Sequence, residues 1–149
     1  MSFAEKIQQE LTAAMKAREE LRLRVLRMLK AALHNRKIEK GAELDDPEAL
    51  AVVKSLIKQR HEAAGEYRKG GAADRAAEEE KEIGVLESYL PAAVGDDAIR
   101  AAIDAAVKET AATSAKDMGK VMKAVMSRFA GQNVDGKKVN ELVRQRLTG

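Results

Sequence analysis

The stretch from Phe129 to Asn140, FAGQNVDGKKVN, contains the residue types of a phosphate-binding loop. Gly131, four further residues and then Gly136-Lys137 match the start of the pattern G-x-x-x-x-G-K-[ST], in which backbone amides and the lysine hold phosphate oxygens. The last position departs from the pattern because Lys138 stands where a Ser or Thr hydroxyl would bind magnesium. Such a loop must also follow a β-strand and enter a helix, so the neighbouring elements decide this question.

Other residues suited to catalysis or metal binding are sparse in this chain. Neither His34 nor His61 belongs to an H-x-x-x-H or H-E-x-x-H spacing, the chain has no cysteine, and no serine lies in a G-x-S-x-G elbow. The acidic run EEEKE at 78–82 resembles an acid/base cluster, but in the first turns of an amphipathic helix it predicts a solvated acidic face. The sequence therefore predicts no catalytic residue, no metal site and no cofactor.

The spacing of apolar residues predicts an all-α chain. Apolar side chains recur at helical intervals, and no stretch sustains the alternation of a strand. Gly41, Gly70-Gly71 and Pro91 are expected to end successive helices, which gives an N-terminal region of four helices in residues 1–92 and a small three-helix domain in residues 93–149. The predicted helix caps are Ser2, Asp46, Asp96, Ser114 and Asp135, and Glu5 and Asp117 are expected to complete capping boxes with Ser2 and Ser114.

The glycine-lysine segment is therefore expected to connect two helices. Gly131 ends a helix with a clean apolar stripe, and Asp135 caps the next helix, so a nucleotide-binding loop is not predicted. Three methionines of that stripe are interpreted as core filler. Lys137 and Lys138 lie in a first helical turn, where free amides could meet an anion, although Asp135 competes for the same amides. The stripe consists of Met118, Val121, Met122, Val125, Met126 and Phe129.

Positive charge is concentrated near the end of the chain. Residues 1–90 carry 17 basic and 17 acidic side chains, whereas residues 114–149 carry eight basic and three acidic ones, a net +5. This asymmetry indicates an acidic partner, of which nucleic acid is the commonest, and the alternative is a solvated helix surface.

A second basic stretch lies in the predicted second helix. No acidic residue occurs between Leu21 and Ile38, and four side chains fall on the side opposite the leucine stripe. This face predicts either another surface for anions or internal pairing with the glutamates of the fourth helix. The four are Arg24, Arg27, Lys30 and His34.

Several motifs resemble the YqeY-like family. They are SYLP at 88–91, KDMGKVMKAVM at 116–126 and DGKKVNELVRQRL at 135–147, with LKAALHNRKIEKG, KQRHEAAGEYRKGG and EEEKEIGVLESYLP upstream, so the resemblance covers nearly the whole chain. Those proteins are similar to the C-terminal tail region of the B subunit (GatB) of Asp/Glu-tRNA amidotransferase. The resemblance implies a helical protein whose C-terminal domain reaches toward the body of tRNA.

Two departures limit what the resemblance implies. The loop Gln132-Asn133-Val134 is longer than the family's loop and uncharged, which puts contact between this loop and phosphate in doubt. Neither the kinase cradle that activates the tRNA-bound acid nor the amidase serine–lysine centre has a counterpart in this sequence. A role as a component of a carbon–nitrogen ligase with glutamine as amido-N-donor therefore rests on the family label.

The sequence thus predicts a non-catalytic, tRNA-associated helical module. The alternative is an adaptor that docks on a tRNA synthetase or an amidotransferase without contacting RNA. We expect a cytoplasmic location and no membrane segment, because the N-terminus lacks the apolar stretch of a signal peptide and charges interrupt every long apolar run. The predicted RNA-binding residues are Lys120, Lys123, Lys137, Lys138, Asn140 and Arg144.

Overall fold

A computed structural model describes residues 1–148, and all the regular elements in this range are helices. Within it the strand-like pairing is an isolated bridge between Ala93 and Asn133. The all-α prediction is confirmed. The α-helices are α1 (Phe3–Lys16), α2 (Glu20–Lys40), α3 (Asp46–Lys69), α4 (Ala73–Glu87), α5 (Asp96–Thr110), α6 (Met118–Arg128) and α7 (Gly136–Thr148), and a short 3-10 turn, Ala115–Asp117, precedes α6.

The chain forms two compact units, one from Met1 to Leu90 and one from Pro91 onward. Helices α1 to α4 belong to the first unit, and α5 to α7 with the 3-10 turn belong to the second. That the divisions 1–92 and 93–149 are separate domains stays a prediction.

The core of the first unit is built almost entirely from aliphatic side chains. One face of α1 and α2 packs against α3 and α4, as the helical spacing of the apolar residues requires. Gly41 ends α2 with φ 74°, a left-handed conformation that glycine adopts without steric cost, as predicted. The largest fully buried side chains here are Ile7, Val25, Leu26, Leu29, Val53 and Leu86.

Two predicted helix caps are wrong by one residue. Asp45, not Asp46, caps α3: its carboxylate accepts from the backbone nitrogen of Glu48 at 2.8 Å, and Glu48 accepts from that of Asp45 at 3.2 Å. Gly95, not Asp96, occupies the cap of α5 without a side-chain bond. The local sequence offers adjacent candidates in both places, and the one in extended conformation becomes the cap.

Helix α4 ends three residues earlier than expected. The prediction placed its end at Leu90, but the helix stops at Glu87 and residues 88–90 form turns. Ser88 donates its hydroxyl to the carbonyl of Val85 at 2.6 Å, which adds a side-chain bond to this last turn. Pro91 disfavours helical conformation in the residue before it, in agreement with an end ahead of this proline.

A half-buried ion-pair network joins α2, α3 and α4. Arg60 Nη1 lies 3.1 Å from Glu79 Oε2 and 3.0 Å from Glu82 Oε2, and Arg24 Nε lies 3.1 Å from Glu82 Oε1. The prediction of a solvated acidic face is wrong for Glu82, which is only 9% exposed. Its neighbours Ile83 and Leu86 point inward, so its carboxylate is drawn from water and needs cationic partners.

The second unit has its own aliphatic core between α5, α6 and α7. Met118 and Met122 are half-buried, but Met126 is 37% exposed, so the interpretation of all three methionines as core filler is wrong for Met126. Val125 occupies the inner face, and Met126, one residue later, is rotated away from it. The buried side chains include Ile99, Ile103, Ala106, Val121, Val125, Val139, Leu142 and Val143.

The predicted capping box before α6 is confirmed. Asp117 Oδ2 accepts from the backbone nitrogens of Thr113 at 2.9 Å and Ser114 at 3.4 Å, and Ser114 Oγ accepts from that of Lys116 at 3.3 Å. The two backbone bonds hold the pKa of the Asp117 carboxyl below its usual value, with Lys120 as a smaller cause. This carboxylate therefore anchors the start of α6 in its charged form.

We predict that Glu82→Gln destabilises the protein. Removing the charge leaves the largely buried Arg60 without full compensation and takes the partner from the exposed Arg24, so the free energy of unfolding should fall by about 2 kcal/mol. Urea denaturation followed by circular dichroism measures this loss. The matched control is Glu78→Gln, which removes an exposed partner of Lys81 and should change stability by less than about 0.5 kcal/mol. Equal losses in both variants would contradict the importance of the network.

We predict that Asp117 contributes stability that depends on pH. Because its folded pKa lies below the ordinary value of 3.8, the contribution is present above that value and disappears as the pH falls through the folded pKa. Asp117→Asn should therefore unfold at lower urea concentration than the wild type near neutral pH, and the difference should shrink in acid. Asp97→Asn, which alters a fully exposed carboxylate, is the control. Parallel pH curves for wild type and Asp117→Asn would refute this role.

Candidate nucleic-acid interface

Lys120 and Lys123 lie together beside a shallow hollow between α5 and α6. The hollow measures about 590 Å³ and is also lined by Glu109, Ser127 and Arg128. The two lysines are three positions apart, which places them on one face of α6. An extended anion could lie along this face, because the hollow is open and both lysines border it.

The cations at the hollow differ in how they are compensated. Lys120 Nζ lies 3.9 Å from Asp117 Oδ1, yet its side chain is 70% exposed. Arg128 Nη2 donates to Glu109 Oε2 at 3.0 Å. Lys123 is exposed and has no carboxylate partner among residues 1–148. Lys123 is thus the cation of this hollow that is free to meet an external anion.

The four predicted residues on α7 do not form one cluster. Lys137, Asn140 and Arg144 share a face by their spacing, and Arg144 Nη2 donates to Asn140 Oδ1 at 3.4 Å. Lys138 instead contacts Asp96 of α5, with Nζ 3.4 Å from Oδ2. No contact within the described chain joins the α7 side chains to Lys120 or Lys123.

Acidic residues of α5 compensate much of the positive charge seen near the end of the sequence. Asp96 pairs with Lys138, Glu109 pairs with Arg128, and Asp104 Oδ1 accepts from Arg146 Nε at 3.1 Å. These pairs are exposed, so each contributes little to stability and can exchange for another anion. The folded unit therefore presents fewer uncompensated cations than its last 36 residues contain.

The segment between Gly131 and Asp135 acts as a structural connection. The side-chain amide of Asn133 donates to the carbonyl of Pro91 at 2.9 Å. The backbone carbonyl of Asn133 accepts from the backbone nitrogen of Val94 at 2.8 Å. Asp135 Oδ1 accepts from the backbone nitrogen of Lys137 at 2.9 Å, as expected of a cap. The segment connects two helices, as predicted, and does not follow a β-strand as a nucleotide-binding loop does. The longer loop thus holds the segment before α5 through Asn133, which its sequence alone did not indicate.

The basic face of α2, for which the sequence left two alternatives open, is partly paired. Arg24 pairs with Glu82 of α4, the kind of partner that internal pairing predicted. Arg22 donates from Nε to the Tyr89 hydroxyl at 2.9 Å and also pairs with two glutamates. Arg27 and Lys30 have no carboxylate partner in the described range. Internal pairing is therefore confirmed for Arg24, and a surface for anions stays a prediction for Arg27 and Lys30.

Tyr89, from the SYLP motif, fastens the end of the first unit. Its ring is 8% exposed, and this burial raises the pKa of its hydroxyl. The hydrogen bond to Tyr89 raises the pKa of Arg22, which remains charged. The pair joins α2 to the turn after α4, so this motif residue has a structural role.

No group of three or more potential metal ligands occurs in the described part of the chain, and none of its helices has the length and apolar character needed to cross a bilayer. Residues that sequence reasoning missed are Arg60 and Glu82, whose partnership crosses helices, and Asn133. A weak signal existed for Glu82, since it precedes two apolar residues of the inner stripe.

Comparison with known proteins places the chain among its relatives. Over 85 residues it is 31% identical to a protein of Lachancea thermotolerans and, in a second comparison of 85 residues, 27% identical to one of Vanderwaltozyma polyspora. Both are named altered inheritance of mitochondria protein 41, mitochondrial. Each match covers 56% of this chain and 46% of the relative, so the chain matches less than half the length of these relatives.

The family comparison extends much further along the chain. The model of the Yqey-like protein family matches residues 4–147. Of the helical residues, this range leaves out Phe3 at the start of α1 and Thr148 at the end of α7. The predicted resemblance is therefore confirmed for the family. Because the match takes in nearly all of its residues, the chain belongs to the YqeY-like family.

Proposed function

We propose that this protein is a non-catalytic helical module that binds the phosphate backbone of tRNA through α6 and α7. The observation that carries the proposal is the pair Lys120 and Lys123 beside an open hollow, where Lys123 has no acidic partner in the described range. The choice of tRNA rests on the resemblance to the B-subunit tail of Asp/Glu-tRNA amidotransferase. A polyanion is the partner that such exposed, spaced cations favour.

Two further cations support an extended contact. Lys137 and Arg144 are exposed on α7 and have no carboxylate partner within residues 1–148. Arg144 already holds the side chain of Asn140, which orients its guanidinium group. A guanidinium can meet a phosphate with two parallel hydrogen bonds, whereas a lysine supplies a point charge.

The contact would read backbone and shape more than bases. Recognition of single-stranded bases uses exposed aromatic side chains for stacking. The second unit has one aromatic residue, Phe129, and it is 9% exposed within the core. Binding through phosphates alone is consistent with this composition.

The paired cations are expected to contribute less. Lys138 must leave Asp96, and Arg128 must leave Glu109, before either can bind a phosphate at full strength. Such exchange costs little at an exposed pair, but the net gain is smaller than for an unpaired lysine. Lys123, Lys137 and Arg144 therefore carry most of the proposed affinity.

We predict that tRNA affinity falls steeply with salt and that Lys123→Gln lowers this dependence. If Lys123 neutralises one phosphate, its removal should reduce the slope of log affinity against log salt by about one. Fluorescence anisotropy of labelled tRNA at several potassium chloride concentrations measures the slope. The control is Lys58→Gln, which removes an exposed lysine of α3 in the first unit.

The salt series also states what would refute the proposal. A wild-type slope near zero would show that no phosphates are neutralised. Unchanged affinity and slope after the combined change Lys123→Gln, Lys137→Gln and Arg144→Gln would exclude α6 and α7 as the contact surface. Circular dichroism of each variant verifies that the helices are retained.

A further inference from the structure

A half-enclosed pocket lies in the first unit, at the start of α1. It measures about 180 Å³, and apolar side chains from three segments line its inner part. Phe3 and Ile7 come from α1, Leu33 comes from α2, and Leu44 and Ala49 come from the connection to α3 and its first turn. An apolar pocket open to water is favourable to fill, because burial of apolar surface releases hydration free energy.

The loop of residues 41–45, of which Glu43 and Leu44 line the pocket, is held by side-chain bonds at both ends. Lys40 Nζ donates to the carbonyl oxygen of Glu43 at 3.0 Å, and the same amino group pairs with Glu48. Asp45 and Glu48 cap each other reciprocally at the start of α3. Because this loop is held in place, little conformational entropy is lost when a partner binds, which favours affinity.

The mouth of the pocket is basic. Lys30, His34 and Lys37 of α2 line it, and Lys37 is paired with Glu43. Lys30 has no carboxylate partner in the described range, and neither has Arg27, one turn earlier on the same face. The only acidic side chain lining the pocket is Glu43, so the uncompensated charge at the mouth is positive.

The size of the pocket limits what it can hold. At about 180 Å³ it is smaller than the roughly 300 Å³ at which pockets for drug-sized ligands and cofactors begin. One large apolar side chain fits this scale, and protein interfaces commonly place such an anchor in a pocket with a polar rim. The exposed side chain of Ile38, on the same side of α2 as His34, extends the apolar area beyond the mouth.

We propose that this pocket docks an acidic peptide segment of a partner protein, with one large apolar side chain inserted among Phe3, Leu33 and Leu44 and with its carboxylates facing Arg27 and Lys30. Charge complementarity selects the acidic character, and the apolar lining selects the anchor. RNA is disfavoured because the apolar inner lining offers no hydrogen-bond partners to the polar edges of a base. The surface belongs to the first unit and does not depend on the proposed tRNA contact of α6 and α7.

Peptide display against the full chain tests this proposal. Selection from a random peptide library should enrich sequences in which Asp or Glu flanks a Leu, Phe or Trp. For a synthetic peptide of the most enriched sequence, Lys30→Glu should weaken binding at least about tenfold, a size typical of an important interface contact. Replacing the anchor of the peptide with alanine should abolish binding.

Two variants separate the roles of charge and shape. Ala4→Phe adds a ring to the lining at an exposed position of α1 and should weaken binding without changing charge. Lys58→Glu makes the same charge change as Lys30→Glu at an exposed site of α3. It should leave peptide affinity within about twofold, because Lys58 does not line the pocket. Thermal unfolding confirms that each variant folds.

Three results would overturn the proposal. The first is a selection in which Ala4→Phe enriches the same peptides, to the same extent, as the wild type does. The second is enrichment of peptides without acidic residues, bound equally by Lys30→Glu. The third is a single-stranded RNA oligonucleotide that shifts the methyl resonances of Leu33 and Leu44 while no selected peptide does so, which would assign the pocket to a base.

Discussion

The arrangement of the helices depends on ion pairs between them, because the surfaces that pack together are almost entirely aliphatic. Charged residues make up 34% of the chain and aromatic residues only 3%. Each core is therefore built mainly from aliphatic side chains, and charged side chains lie at its edges. In the first unit, Arg60 meets Glu79 and Glu82 at 3.1 and 3.0 Å, which ties α3 to α4 where a carboxylate is almost removed from water. Removing one partner leaves the other charge uncompensated away from water, so breaking such a pair is costly whatever the intact pair contributes to stability.

The same matching decides which cations remain for a partner. In the second unit α5 supplies the acids that compensate Arg128, Lys138 and Arg146. Within the described range, the cations of this region without a carboxylate partner are thereby reduced to Lys116, Lys123, Lys137 and Arg144. Charge counted along the sequence overstates the positive surface of the fold, because it ignores acids contributed by an earlier helix. The proposed tRNA contact is correspondingly narrower than the sequence suggested.

Local signals were predictable from the sequence, whereas most long-range pairings were not; the pairing of Arg24 with Glu82 of α4 is the exception. Gly41 ends α2 and the Ser114–Asp117 box begins α6 as expected, because both features involve neighbours in the chain. The pairing of Arg60 with Glu82, and that of Lys138 with Asp96, depend on how helices pack, which periodicity does not report. The pocket of the first unit also escaped prediction, since its lining comes from three separate segments.

Lysine reactivity in the presence and absence of tRNA tests the central claim most directly, because it reports each lysine separately in the wild-type protein. Acetylation rates read by mass spectrometry should fall at Lys123 and Lys137 when saturating tRNA is added. The rates at Lys30 and Lys58 of the first unit should stay the same. Equal rates at Lys123 and Lys137 with and without tRNA, together with protection of Lys30, would contradict the assignment of the RNA contact to α6 and α7.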